Sequence, residues 1–339
     1  MHVTPTIPVG ATPCAGSFIP APPPLSDHTH EHFPNLQSIL IDNSLFIDNS
    51  TLETFTTCPR AAFYQLGLKR TISRKKAALG FGGAVHKILE QRYLRGTNPL
   101  LGEDPKLCLQ AGLDILKDSA IDPEDFRTPD YLIEVWDKYQ AKYPVETFEV
   151  VDGFVEKEFA IPLGVVYAGS LEVPVVWTGR IDAIIGDRDL YRVLDHKTTT
   201  MMGPSYFEEF NISSQMMGYT WAASNLLGRE INGVLINAIA LRKPTKTGKG
   251  IEFERMHVYI TPENLVEWRN NTLYVIGDLL RYWAQNYFPM HTKQCVGKYG
   301  RCQYYDVCTL PQSQRLTMLN TNLYEKTSWN ALSSLQTHA

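Results

Sequence analysis

"YRVLDHKTTT", residues 191–200, places an aspartate, a histidine and a lysine in a row at the end of an otherwise β-branched, apolar stretch. Strand side chains alternate between faces, so Asp195 and Lys197 share one face and His196 points to the other. The preceding "VPVVWTGRIDAIIG", residues 173–186, also reads as a strand, and "GDRD", residues 186–189, reads as the turn between the two. With that turn centred between Asp187 and Arg188, Asp182 opposes Val193, lies diagonal to Asp195, and joins Asp195 and Lys197 on one face. The grouping depends on an even turn, because an odd one would flip one strand and scatter the cluster.

Two carboxylates close together in apolar strands are unfavourable alone, since desolvation and like charge both penalise the ionised pair. A hard divalent cation removes that penalty, and Mg²⁺ suits a few carboxylates completed by water and phosphate oxygens. The rival account is an exposed strand end with an Asp195–Lys197 surface pair, which contributes little to stability.

The rest of the chain supplies the frame. Its 339 residues are 44% hydrophobic and 20% charged, an ordinary globular balance that excludes a disordered or membrane-dominated chain. The net charge of −4 gives no whole-protein field toward nucleic acid, so any such binding must use local patches. The N-terminus has no secretory pattern and no apolar run is long enough to span a bilayer, so a cytoplasmic protein is expected.

Residues 1–44 contain "SFIPAPPPLSDHTHEHF" and read as a flexible leader, in which His28, His30 and His32 are taken as solvated. A single domain is expected over 45–310. Ser50 and Glu53 fit a capping box opening a helix that stops at Gly67, and "KKAALGFGGAVHKILEQRYLRG" forms a second helix ending near Gly96. Residues 97–150 read as a helical insertion. Three strands follow from residue 150, then the helix "SSQMMGYTWAASNLLG", the strand "INGVLINAIALRK" and the long amphipathic helix beginning "TPENLVEWRNN". This order predicts a mixed α/β sheet with helices packed on it. A polar tail is expected over 311–339.

Two more motifs lie on helices. Gln215 and Tyr219 are four residues apart and project from one helical face, as do His86 and Glu90 in "GFGGAVHKILEQRY". This ordered set resembles the PD-(D/E)xK nuclease superfamily, in particular its RecB-like branch, with a helical histidine, an aspartate, D-x-K and Q-x-x-x-Y. The likeness spans roughly Ser50 to Cys308 and implies a restriction-endonuclease-like fold. It also implies that His86, Asp182, Asp195 and the main-chain carbonyl of His196 hold Mg²⁺ or Mn²⁺, with Lys197 catalytic. Gln215 and Tyr219 would position the lysine or the DNA strand. Imidazole beside carboxylates makes Mn²⁺ as suitable as Mg²⁺. Glu90 reads as a charged helix-surface residue.

Cys58 near the start and Cys295, Cys302 and Cys308 near the end give four thiols, the ligand count of a [4Fe–4S] cluster. The iron–sulfur members of the RecB-like branch use this split, which implies a cluster that staples the N- and C-terminal parts together. The chain departs from their C-x-x-C step by placing six residues between Cys295 and Cys302. A Cys₄ zinc site is the rival. Neither Cys14 in the leader nor Cys108 in the insertion is assigned as a ligand.

"LRKPTKTGKG", residues 241–250, carries Arg242, Lys243, Lys246 and Lys249 and reads either as a phosphate-binding loop or as a plain solvated hairpin tip. Phe63 and Tyr64, in a basic stretch beside Cys58, read either as stacking platforms for bases or as core. The expectation as a whole is a deoxyribonuclease, more an exonuclease than an endonuclease, that hydrolyses phosphodiesters with a metal-activated water. Its partner is DNA, as single strands or duplex ends, and by family habit alone a helicase or recombination partner. A non-catalytic nucleic-acid-binding or assembly subunit on the same fold is the alternative.

Overall fold

The computed structural model describes residues 39–72, 77–94, 104–117, 125–187, 190–244, 250–297 and 300–326. These all lie in the compact unit Pro34–Ala339. Most of the expected leader, residues 188–189 and 245–249, and the chain beyond 326 are among those that fall outside the described residues.

The strands are β1 (Leu45–Ile47), β2 (Arg70–Ile72), β3 (Glu149–Ala168), β4 (Leu171–Asp187), β5 (Leu190–Thr199), β6 (Val234–Ala240), β7 (Glu252–Val258), β8 (Val296–Gly297), β9 (Gly300–Arg301) and β10 (Tyr324–Lys326). The α-helices are α1 (Asn49–Thr57), α2 (Pro59–Ala62), α3 (Ala77–Leu94), α4 (Pro105–Lys117), α5 (Pro129–Lys142), α6 (Pro204–Glu208), α7 (Ser214–Leu227), α8 (Pro262–Ala284), α9 (Tyr305–Cys308) and α10 (Gln312–Leu319). The result is the expected mixed sheet flanked by helices.

The main sheet has six strands in the order β1-β4-β5-β6-β7, with β3 also on β4. The β1–β4 and β5–β6 pairs are parallel, and the β3–β4, β4–β5 and β6–β7 pairs are antiparallel. A strand has two edges, and β3 runs along one edge of β4 for nearly its whole length. The other edge is therefore shared, by β1 at Val175–Trp177 and by β5 at Ala183–Asp187. Between them, Thr178–Asp182 has no ladder partner on that side among the described residues. This gap in the sheet is where the charged residues gather.

Apolar burial holds the gap in place. Ile181, Ala183, Ile184 and Trp177 are fully buried around Asp182. Each large side chain of this kind stabilises by roughly 1.5–3 kcal/mol, enough together to offset the desolvation of one carboxylate. The face of Ala183, Ile185 and Leu194 packs on α3, α4 and α5 through Phe81, Val85, Leu132 and Val135. Further along β4, α7 comes so close that a Cβ at Gly218 would lie 2.8 Å from Trp177.

Several local expectations are corrected. Asp48, not Ser50, caps α1, its side chain accepting from Thr51 N–H. The helix does not run to Gly67, because Cys58 is extended (φ −161°) and breaks it. Residues 311–326 are not a tail: α10 and β10 follow, and β10 pairs with β2, tying the late chain to the early chain. The strands β1 and β7 have no counterpart in the sequence reading. β1 has three residues, and β7 lies on the sheet edge with a half-buried pattern that carries no strong alternation.

Candidate active site

The β4–β5 ladder pairs Ala183 with Leu194 and Asp187 with Leu190. Val193 therefore faces Ile184 rather than Asp182, and the strands stay paired as far as Asp187–Leu190; the expected turn falls partly on residues 188–189, which lie outside the described residues. The register differs by two from the expected one, which preserves the faces.

Asp182 therefore sits just past the last ladder pair, where its carboxylate replaces a strand partner. Its Oδ2 accepts the backbone N–H of His196 at 2.8 Å. Nδ1 of His86, from α3, lies 3.6 Å from the same oxygen. Burial opposes ionisation of Asp182, but His86, His196 and that backbone N–H outweigh it and hold the carboxyl below its ordinary range. Asp195 behaves oppositely: burial first, with Asp182 adding to it, raises its carboxyl despite the attraction of Lys197. The Lys197 ammonium lies 2.7 Å from Asp195 Oδ2. That contact is a close charge pair without hydrogen-bond direction, since the buried Oδ2 receives no well-aligned donor.

His196 faces away, as alternation requires. It is buried, its ring stacks on Tyr93 at 5.5 Å between centroids, and burial pushes its imidazole down to about 3. The ring is therefore neutral. Arg255 donates to Asn237 Oδ1 at 3.2 Å, which turns the Asn237 amide nitrogen toward His196 Nδ1 at 2.9 Å. Nδ1 is then the acceptor, and Nε2 carries the proton. Arg255 also makes a two-pronged pair with Glu146 at 2.5 and 3.0 Å, and Arg92 approaches Glu146 from the other side at 3.4 Å. None of this polar layer was anticipated. Its signal was an asparagine within the fully apolar run of β6.

Glu156 was also missed. It lies in β3 between the pairs Val155–Ala183 and Lys157–Ile181, opposite Asp182, with a left-handed backbone (φ 48°). One ligand atom from each of His86, Glu156 and Asp182 lies within 4.8 Å of the others. Asp195 is not in that group, so the expected trio of His86, Asp182 and Asp195 is only partly assembled. Arg180 pairs with Glu156 at 2.7 Å. Burial, and then Asp182, raise the Glu156 carboxyl to about 7. Glu90 is half-buried and paired with Lys87 at 2.6 Å.

Gln215 Nε2 donates to Tyr219 Oη at 3.2 Å across one turn of α7. Burial and then Asp195 raise the Tyr219 phenol. Gln215 also lines a cleft of about 740 Å³ with Asn49, Asn211, Asn264 and Asn271. Tyr206 is a further neighbour, its phenol pushed up to about 12 by burial and by Asp195.

The four cysteines converge. Burial raises the thiols of Cys302 and Cys308; Cys58 and Cys295 add to the first, Cys58 and Cys302 to the second. Between Cys295 and Cys302, β8 (Val296–Gly297) pairs with β9 (Gly300–Arg301), and Cys302 N–H donates to Cys295 C=O at 2.9 Å. The longer spacing is thus taken up locally, and Cys308 follows on α9. Cys108 is buried elsewhere, in the core. Phe63 and Tyr64 are core residues, Phe63 stacking on Phe288 at 4.3 Å. Arg242 is engaged with Glu252 at 2.8 Å.

None of the described helices is long and apolar enough to cross a membrane. No curated protein matches the chain. Among solved structures, SSO0001 is similar at 12% identity, covering 58% of this chain and 85% of its own, with a TM-score of 0.24. The complex of LHK-Exo with dAMP is similar at 9% identity, covering 62% of this chain and 97% of its own, with a TM-score of 0.24. The alkaline exonuclease LHK-Exo from Laribacter hongkongensis is similar at 8% identity with the same coverage and a TM-score of 0.23. The family model of the PD-(D/E)XK nuclease superfamily matches residues 49–309, a span that runs from α1 to the end of α9 and takes in the sheet gap with every charged residue in it. On that match the chain belongs to the PD-(D/E)XK nuclease superfamily.

Proposed function

We propose that the protein is a metal-dependent deoxyribonuclease of the RecB-like kind, acting as an exonuclease on DNA ends. The observation that carries this reading is the convergence of Asp182, Asp195 and Lys197 at the gap in the sheet, with Asp195 Oδ2 buried and short of a directed donor. A buried carboxylate oxygen met by one lysine, beside a second carboxylate, suits a divalent cation better than it suits a packed core.

His86, Asp182, Asp195 and the main-chain carbonyl of His196 would hold Mg²⁺ or Mn²⁺. The bound ion would supply Lewis acidity toward a phosphoryl oxygen and lower the pKa of water at the site. Lys197, a quarter exposed where Asp195 is buried, reaches from the carboxylate toward solvent, where it would orient the attacking water. Tyr219, held by Gln215, would seat the strand against Asp195. The neutral His196 ring keeps its backbone in register through the Asn237 layer.

Cys58, Cys295, Cys302 and Cys308 would hold a structural [4Fe–4S] cluster. The donor set fits: Cys58 and Cys295 act on the Cys302 thiol, and Cys58 and Cys302 on the Cys308 thiol, so the four sulfurs gather in one place, and four thiolates are the ligand count such a cluster needs.

The test is digestion of end-labelled single- and double-stranded DNA with Mg²⁺ or Mn²⁺, beside Lys197→Ala and Asp195→Ala. Loss of labelled ends by the wild type alone is expected. Equal digestion by all three, or by none, rejects the reading in favour of a non-catalytic binding subunit.

A further inference from the structure

Glu156 stands outside every motif that the sequence presents, yet the backbone aims it at the site. A glutamate at φ 48° is sterically disfavoured, because left-handed backbone crowds Cβ against the following carbonyl. β3 has its register shift immediately before, between Val150 and Val155, and ordinary pairs resume on either side of Glu156. The irregularity turns one side chain inward without disturbing the ladder around it, a common use of a bulge beside a functional site.

That side chain meets another carboxylate. Like charges across neighbouring strands destabilise a sheet, and Glu156 lies between the pairs Val155–Ala183 and Lys157–Ile181 that flank Asp182, with a ligand oxygen of each within 4.8 Å. Arg180 pairs with Glu156 and Lys197 with Asp195, while Asp182 has no cationic side chain paired to it: it accepts one backbone N–H from His196, lies 3.6 Å from the His86 imidazole, and is further stabilised by the charge of Lys197. The histidine that completes the group comes from a different layer of the fold, and Asp195 Oδ2 next to it is buried without a directed donor.

We propose that Glu156 is a direct ligand of the divalent cation, which sits between His86, Asp182 and Glu156 at the β3–β4 side of the gap. This rests on reading the gap as a metal site, and it enlarges the ligand set from the motif residues to one on β3. Arg180, more than half exposed on the outer side, then balances Glu156 when the ion is absent.

The test is Mn²⁺ binding by the full chain without DNA, read by titration calorimetry and by the free-Mn²⁺ signal in electron paramagnetic resonance. Wild type, Glu156→Gln and Arg180→Met are compared, each with its melting temperature in EDTA. Glu156→Gln should bind Mn²⁺ about tenfold or more weakly, the scale on which losing a supporting group already acts. Its melting temperature in EDTA should equal or exceed that of wild type, since a repelling charge is gone. Arg180→Met should keep its Mn²⁺ affinity. Equal affinity in wild type and Glu156→Gln overturns the assignment. So does a large loss in Arg180→Met, which would make Glu156 half of a structural ion pair. DNA digestion is scored separately: cutting with Glu156-independent Mn²⁺ affinity rejects only the ligand, and Glu156-dependent affinity without cutting rejects only the nuclease.

Discussion

The backbone N–H of His196 donates to Asp182 Oδ2 at 2.8 Å while its ring, on the opposite face of β5, accepts from Asn237 at 2.9 Å. One residue thus links the charged gap to the buried polar layer. Burial holds this imidazole down to about 3, so the native protein keeps it neutral where the unfolded chain, near 6.5, takes up a proton. The unfolded state therefore binds more protons between these values. Stability supplied by neutral His196 is complete above pH 6.5 and is lost as pH falls toward 3. In EDTA, wild type should weaken relative to His196→Phe by about 1.4 kcal/mol for each pH unit below 6.5. Urea midpoints at pH 7, 6 and 5 check this, and parallel curves for the two proteins would refute it.

Lys197 and Asp195 are close in space but differ in exposure, and their substitutions should separate accordingly. Lys197→Ala should lower DNA hydrolysis by about 10²–10⁴-fold, the scale of a lost positioned proton-handling group. It should leave Mn²⁺ binding in place, because a cation has been removed from beside the ion. Asp195→Ala should lower both. Rate and Mn²⁺ titrations on the same preparations test the split, and equal loss of metal in both variants would contradict it.

Glu146 takes charge from two arginines in a layer with almost no solvent: its side chain is fully buried, and Arg92 is 2% exposed. Glu146→Gln removes the anion shared by buried Arg92 and half-buried Arg255. Breaking a buried pair in this way costs about 3–5 kcal/mol. The urea midpoint of the variant should fall accordingly, and a change under 1 kcal/mol would show that water or another anion already serves Arg92 and Arg255.

The reactive face was legible because alternation along β5 is local: Asp195, His196 and Lys197 take their sides whatever lies around them. The β4–β5 register differs by two from the expected one, and an even difference keeps Asp182, Asp195 and Lys197 on one face. Glu156 could not be read from the sequence, since a glutamate in "VVDGFVEKEF" looks like any polar strand residue until the shift before Val155 turns it inward. The Asn237–Arg255–Glu146 layer was equally hidden: its members come from β6, β7 and the segment after α5, and only tertiary packing makes them neighbours. The order of helices and strands was recoverable, but β1 was too short to announce itself. Yet β1 matters, because it occupies the lower edge of β4 and so defines the gap.

The cysteines allow a sharper test than activity. Cys302 N–H is already bonded to Cys295 C=O, and β2–β10 pairing joins the same ends of the domain without any thiolate. Tyr304 Oη donates to Arg70 C=O at 2.5 Å and Tyr324 Oη to Gln303 C=O at 2.9 Å, adding further ties. A missing ligand should therefore leave a sheet that still folds while removing the staple's share of the stability, because metal binding and folding are coupled. Cys302→Ser, purified without oxygen, should lose the broad visible absorption and most of its iron. It should also melt below wild type and be less soluble, as partly opened ends expose Tyr64 and Phe63. Full colour together with an unchanged melting temperature would place Cys302 outside any cluster. A colourless wild type rich in zinc would instead assign the four thiols to that metal.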